Sequence, residues 1–177
     1  MKIEQLLYFP FGNNLIIGRH IEDQLKFLSE VLPSDFKGKE MYDLGCGDGK
    51  ITVFLKKFFE SKLVFGCDAS GGLVKRAKKR GVESKVVDLE KEVPVGELAV
   101  MWGVLHHLRN QEKVLEKIKN NFNYFFLREP LLKEKSFFEL GDPFKKEELE
   151  DKIKRVFGDY KIFEHKNAAF IFWKKYV

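Results

Sequence analysis

Near the end of the chain, two strand-like apolar runs at residues 159–165 and 168–174 are separated only by Lys166-Asn167. A two-residue connection can join only antiparallel neighbours, so these runs form a hairpin. Upstream the rhythm differs. Short apolar runs at 41–44, 63–67, 85–87, 98–102 and 124–127 alternate with amphipathic stretches at 50–60, 72–80 and 111–120. Strands that are apolar on both faces and separated by helices predict a parallel sheet covered on both sides. A charged helix at 143–157 leads into the hairpin. The expected fold is therefore α/β: a doubly wound, mostly parallel seven-stranded sheet ending in an antiparallel hairpin, with helices on both faces.

With 177 residues, 44 % of them hydrophobic and 33 % charged, one domain with its own core is expected. No repeat or linker of Gly, Ser and Pro divides it. Residues 1–38 read as an N-terminal loop and helix acting as a lid or cap. Tyr8-Phe9-Pro10-Phe11-Gly12 is aromatic and then turn-forming, and Ile21, Leu25, Leu28, Val31 and Leu32 follow at helical spacing before Pro33. Residues 39–177 form the main body. No apolar run reaches the roughly 18–20 residues of a membrane span. The first residues carry Glu4 and lead into Pro10, unlike a secretory leader. Two cysteines exclude a disulfide scaffold and fit a reducing, cytoplasmic setting.

The net charge is +5, built from 26 Lys and 6 Arg against 18 Glu and 9 Asp, with three Gln and one Thr. Abundant Lys and Glu with few amides is the composition of heat-adapted proteins, and it accounts for the basicity as readily as an anionic partner does. The run Lys75-Arg76-Ala77-Lys78-Lys79-Arg80 falls on the helix after the second strand. There a solvated face is the expectation, ahead of an RNA track.

The densest local signal is Asp43-Leu44-Gly45-Cys46-Gly47-Asp48-Gly49-Lys50, where the first strand ends and a helix opens. Glycines there let the backbone turn sharply and approach a ligand. A dinucleotide fingerprint would put its third Gly at Lys50, and a P-loop would need Ser or Thr at Ile51. Neither is met. Asp43 and Asp48 would repel a pyrophosphate and welcome a cationic amine or sulfonium. Asp68 closes the second strand, where an acid accepts hydrogen bonds from ribose hydroxyls. Asp88 closes the third, with Leu89 beside it to lie against a purine ring. Three acids at successive strand ends line the carboxyl edge, where open α/β sheets bind ligands.

These residues, followed by Trp102-Gly103-Val104-Leu105-His106-His107-Leu108 after the fourth strand, resemble class I S-adenosylmethionine-dependent methyltransferases. The small-molecule branch with a Leu-His-His-Leu signature is the nearest type. The resemblance runs from about Lys39 to Trp173 and implies a Rossmann-like fold, with S-adenosylmethionine as cofactor and S-adenosylhomocysteine as product. It places Asp43 and the backbone of Gly45, Cys46 and Gly47 around the methionine portion. Asp68 takes the ribose, with Ala69 against the adenine; Asp88 and Leu89 frame the adenine amine and ring. Trp102-Gly103 borders the transfer centre. Glu97 stands where many relatives have Asp, and Ala69-Ser70-Gly71-Gly72 is smaller than the usual segment.

Methyl transfer from a sulfonium needs positioning, desolvation and, for a protonated amine or a hydroxyl, a base. Imidazole suits that role. His106 is the candidate catalytic residue in preference to His107, because it lies four residues after Trp102 and shares its face if a helix begins there. Tyr8, Phe9 and Phe11, and the stretch from Arg128-Glu129-Pro130 to Phe137-Phe138, are the candidate substrate-selecting appendages. Asn/Asp-Pro-Pro-Tyr/Phe is absent after the fourth strand. Cys46 and Cys67 are misplaced for a cytosine-carbon nucleophile, and no metal-ligand spacing occurs. The expected function is methyl transfer to an N or O acceptor on a small molecule, by a monomer or homodimer. Nucleic acid or protein is the less favoured acceptor, and a non-catalytic cofactor-binding regulator is the remaining alternative.

Overall fold

The computed structural model describes residues 15–132 and 143–175; side chains are described from Ile21 onward. A helix α1, Leu15–Val31, and a single 3-10 turn at Ser34–Phe36 lead into the alternating body. That body runs β1 (Met41–Leu44), α2 (Lys50–Phe58), β2 (Val64–Asp68), α3 (Gly71–Lys79), β3 (Glu83–Val86), β4 (Leu98–Trp102), α4 (Gln111–Asn121) and β5 (Tyr124–Pro130). It closes with α5 (Lys146–Phe157), β6 (Lys161–His165) and β7 (Ala168–Lys174). The seven strands form one sheet in the order β3-β2-β1-β4-β5-β7-β6. β1 to β5 are parallel; β7 runs antiparallel to both β5 and β6. The expected fold class is the observed one.

Alternation along the strands divides the core in two. Leu98, Val100, Phe126, Phe170 and Phe172 face α1 and α2, where Leu25, Leu28, Leu55 and Phe59 meet them. Ala99, Met101, Phe125, Leu127, Ile171 and Trp173 face α4 and α5, against Val114, Leu115, Ile118, Leu149 and Ile153. Period two on a strand sends neighbours to opposite faces, so each central strand must be apolar throughout. Burial of each large apolar side chain contributes roughly 1.5–3 kcal/mol. α3 continues the α1–α2 layer, with Ala77 packed on Cys46 and Val82 and with Val53 beside them.

Three differences from the sequence-based expectation have a clear physical reason. β5 extends through Arg128, Glu129 and Pro130 because β7 pairs with it along its whole length, from Tyr124↔Lys174 to Pro130↔Ala168. The charges there lie inside the sheet, where the expectation had an appendage. β3 starts two residues earlier, at Glu83, and as the sheet edge it buries only Ser84. The chain after β4 does not continue as a helix. Gly103 adopts φ +66° and turns it, leaving one 3-10 turn at Leu105–His107.

α1 is an integral layer of the core. Leu25 and Leu28 are buried, Phe27 stacks on His165 at 4.5 Å, and the Asp23 carboxylate accepts from His165 Nε2 at 2.6 Å and pairs with Lys166 at 2.8 Å. These contacts tie α1 to the β6–β7 turn. The aromatic segment Tyr8–Phe11 and the pair Phe137-Phe138 lie outside the described residues.

Candidate functional site

The strand order reverses between β1 and β4, with β2 and β3 on one side and β5 on the other. Such a switch point opens a crevice at the carboxyl edge. Asp43, the glycine loop, Asp68, Trp102 and Glu129 all stand at or next to that edge.

The three loop glycines have different tasks. A Cβ on Gly45 (φ +91°) would lie 2.5 Å from Val104, and one on Gly49 (φ +79°) 3.0 Å from Ala77. Both are demanded by packing. A Cβ on Gly47 (φ +56°) would meet nothing within 4 Å, so Gly47 presents bare backbone to the open side of the loop. Its N–H donates to Asp68 Oδ2 at 3.0 Å, while Asp68 Oδ1 accepts from Ser70 N–H at 2.8 Å. The glycine loop and the end of β2 are thereby held in one arrangement around a single carboxylate.

Asp43 is fully buried and accepts from the Thr52 hydroxyl of α2 at 2.6 Å. Burial, reinforced by the charge of nearby Asp68, pushes its carboxyl up to about 7, against the opposing effect of the Thr52 bond. Burial raises Asp68 as well, opposed by its two backbone N–H donors. Two carboxylates that resist joint ionisation favour a cationic group between them. In the ligand-free protein the sign follows. Asp43 ionises near 3.8 when unfolded and near 7 when folded, so its contribution to stability is fully present below about pH 4 and is lost as pH rises through 7. Asp43→Asn is expected to flatten the pH dependence of urea-unfolding free energy over that window; an unchanged slope would assign it to other groups.

Cys46 gives its N–H to the Cys67 carbonyl at 2.9 Å, and its thiol packs on Gly66, Ala77 and Val82. Burial pushes the Cys46 thiol up and the Cys67 thiol up to about 12, which suits packing residues. Ala69 is exposed just past Asp68. Asp88 caps its own turn, accepting from Glu90 N–H at 3.1 Å and lying 3.5 Å from Lys91. Leu89, beside it, is buried with Leu44, Cys67 and Val93.

Trp102 and His106 do not share a helix face. Trp102 ends β4 among Phe126 and Phe170, with the Arg128 guanidinium 5.5 Å above its ring. His106, past the Gly103 turn, meets Glu129 instead, with Nδ1 2.6 Å from Glu129 Oε2. Glu129 is completely buried, and its other oxygen accepts from the N–H groups of Val104 and Leu105 at 2.8 and 2.7 Å. The carboxylate thus receives three hydrogen bonds and fixes the His106 ring with Nδ1 as the donor, leaving the lone pair on Nε2. The His106 side chain is 5 % exposed, and His107 lies against it at 3.9 Å between ring centroids. Sequence reasoning placed Glu129 in an appendage and missed this pairing. The available signal was a seven-residue β7 that needs a partner strand as long as itself. Among the described residues, no group of three His, Cys, Asp or Glu is placed to hold a metal ion.

A family model for a methyltransferase domain matches residues 17–158. "Probable tRNA methyltransferase 9B" of Homo sapiens is 34 % identical over 98 residues, covering 53 % of this chain and 20 % of that protein. Juvenile hormone acid O-methyltransferase of Bombyx mori is 30 % identical over 94 residues, covering 47 % of this chain and 34 % of that protein. The chain therefore spans between a fifth and about a third of the length of these relatives. Among solved structures, a Thermotoga maritima S-adenosylmethionine-dependent methyltransferase, described as a possible histamine N-methyltransferase, aligns with TM-score 0.66 at 20 % identity. That alignment covers 86 % of this chain and 87 % of the other, and it shows the shared fold.

Proposed function

The chain belongs to the methyltransferase-domain family, and from that membership we propose that it transfers the methyl group of S-adenosylmethionine to a nitrogen or oxygen acceptor, with His106 as the base. The site's own geometry fits the cofactor. Gly47 offers an open backbone cradle, Asp43 and Asp68 supply negative charge for its cationic amine and sulfonium, and Asp68 has acceptor capacity left for ribose hydroxyls. When bound, the cofactor supplies the electrophilic methyl group.

The chain's residues do the rest. Asp43 and the loop orient the methionine end, Asp68 the ribose, and Asp88 with exposed Ala69 the adenine end. His106 takes the acceptor's proton at Nε2 while Glu129 holds the ring and stabilises its charged form. The single observation that carries this reading is the Glu129–His106 pair at 2.6 Å, beside the edge where the cofactor loop lies. A buried carboxylate that spends three hydrogen bonds on one loop and one imidazole is more than packing requires.

The relatives' names divide between a small-molecule acid and tRNA, so the acceptor's size is a separate question. A panel of amine, hydroxyl, carboxylate and RNA acceptors with labelled methyl donor tests the reading. Label transfer to one class is expected. Replacement of His106 by Ala is expected to remove transfer by a factor of roughly 10²–10⁴ and leave calorimetric cofactor affinity near normal. Equal loss of both would make His106 a structural residue.

A further inference from the structure

We infer that the α2–α3 face and the adjoining β3 edge dock single-stranded RNA, which carries the methyl acceptor to the carboxyl edge. The inference rests on the transferase reading above and names its substrate class. Residues 49–85 hold ten Lys and Arg against three Asp and Glu, whereas the rest of the chain holds 22 against 24. All of the net positive charge therefore lies in one segment, and that segment is the α2–β2–α3–β3 corner of the fold. Heat adaptation spreads Lys and Glu into surface pairs, as Lys39–Glu97 and Lys146–Glu150 illustrate elsewhere. It does not account for a one-sided field.

The corner has the shape as well as the charge. Lys56 and Lys57 on α2 and Lys75, Lys78 and Lys79 on α3 are exposed. Between Asp68 and Asp88 the only carboxylate in the sequence is Glu83. A groove of about 420 Å³ follows the β3 edge, with Lys78 and Lys85 on its walls together with Glu83. Arg80 joins this surface to the cofactor loop, donating to the Asp48 carboxylate at 2.9 Å and to its carbonyl at 3.1 Å. Phe54, 40 % exposed on α2 beside these lysines, is a stacking platform for an unpaired base. An interfacial membrane helix would need a continuous apolar face, and the outward positions of α3 are lysines. A flexible polyphosphate follows two helices and an edge groove, and every ribonucleotide carries a hydroxyl of the kind a base such as His106 would deprotonate.

Fluorescence anisotropy with an unstructured RNA of about 20 nucleotides tests the surface at ionic strengths from ~50 to ~200 mM. The variants are the triple substitution Lys75→Gln, Lys78→Gln, Lys79→Gln and the charge-keeping Lys→Arg triple. The Gln triple is expected to weaken binding at least about tenfold at low salt and to reduce the slope of log K on log salt by about two, near 0.7 per phosphate contact. The Arg triple is expected to bind as the parent does. RNA binding that is absent at low salt, or equal in parent and Gln triple, overturns the inference; so does capture of phosphatidylserine vesicles without RNA. Calorimetry with S-adenosylmethionine on the same preparations separates the two failures. In the parent protein, absent RNA binding with cofactor binding kept overturns the surface alone, and absent cofactor binding overturns the transferase reading with it.

Discussion

Glu129→Gln is expected to lower kcat by about 10²–10⁴ while leaving cofactor affinity within a few-fold of the parent. The reason is a tautomer. Val104 and Leu105 N–H groups both point at Glu129 Oε1, so the amide oxygen of Gln must take that place. Its NH₂ is then directed at His106 Nδ1, which stood 2.6 Å from Oε2. A donor there forces Nδ1 to accept and puts the ring hydrogen on Nε2, the nitrogen that should receive the acceptor's proton. The substitution changes no volume and leaves the two backbone bonds in place, so the fold should persist. Combining it with His106→Ala should add little to the single change, because the two act as a unit. A variant with normal kcat would reduce the pair to a loop anchor.

The second large effect is expected at Asp68. Hydrogen bonds to a charged acceptor contribute about 1.5–3 kcal/mol each, so Asp68→Ala should weaken S-adenosylmethionine about 10²-fold or more in calorimetry. Two losses combine there. The carboxylate that would accept the ribose hydroxyls is gone, and Gly47 N–H and Ser70 N–H lose their common acceptor, which loosens the cradle itself. Asp68→Asn separates them, since its amide oxygen can still receive one of the two N–H groups; intermediate affinity is expected. Unchanged affinity in Asp68→Ala would remove the ribose assignment.

The glycine loop and the strand-end acids were legible because their parts are local. Asp43, Gly45, Gly47 and Gly49 act within seven residues, and strand-end acids follow from a strand–helix rhythm that apolar periodicity reveals. The packing of Leu89 was not legible in that way: adjacency to Asp88 says nothing about which way a side chain turns once the strand has ended, and Leu89 lies with the core. Glu129 was invisible as a partner because His106 is 23 residues away and meets it only through parallel pairing of β4 with β5.

The basic surface shows the division most clearly. The number of charges was plain in the composition, and as a total of +5 it weighed little. Chain order then placed the basic residues on two helices of one layer and on the sheet edge beside them, turning a diffuse excess into a field with a direction. What the sequence alone determined is what depends on neighbours along the chain: strand and helix periods, the glycine turn, the closing hairpin. The tertiary structure decided what depends on distance in space, namely the Glu129–His106 pair, the burial that raises Asp43, and the laying of the basic segment's helices side by side. Hydrogen bonding, desolvation and Coulomb interaction act between whatever groups the sheet brings together, and no spacing in the chain encodes that.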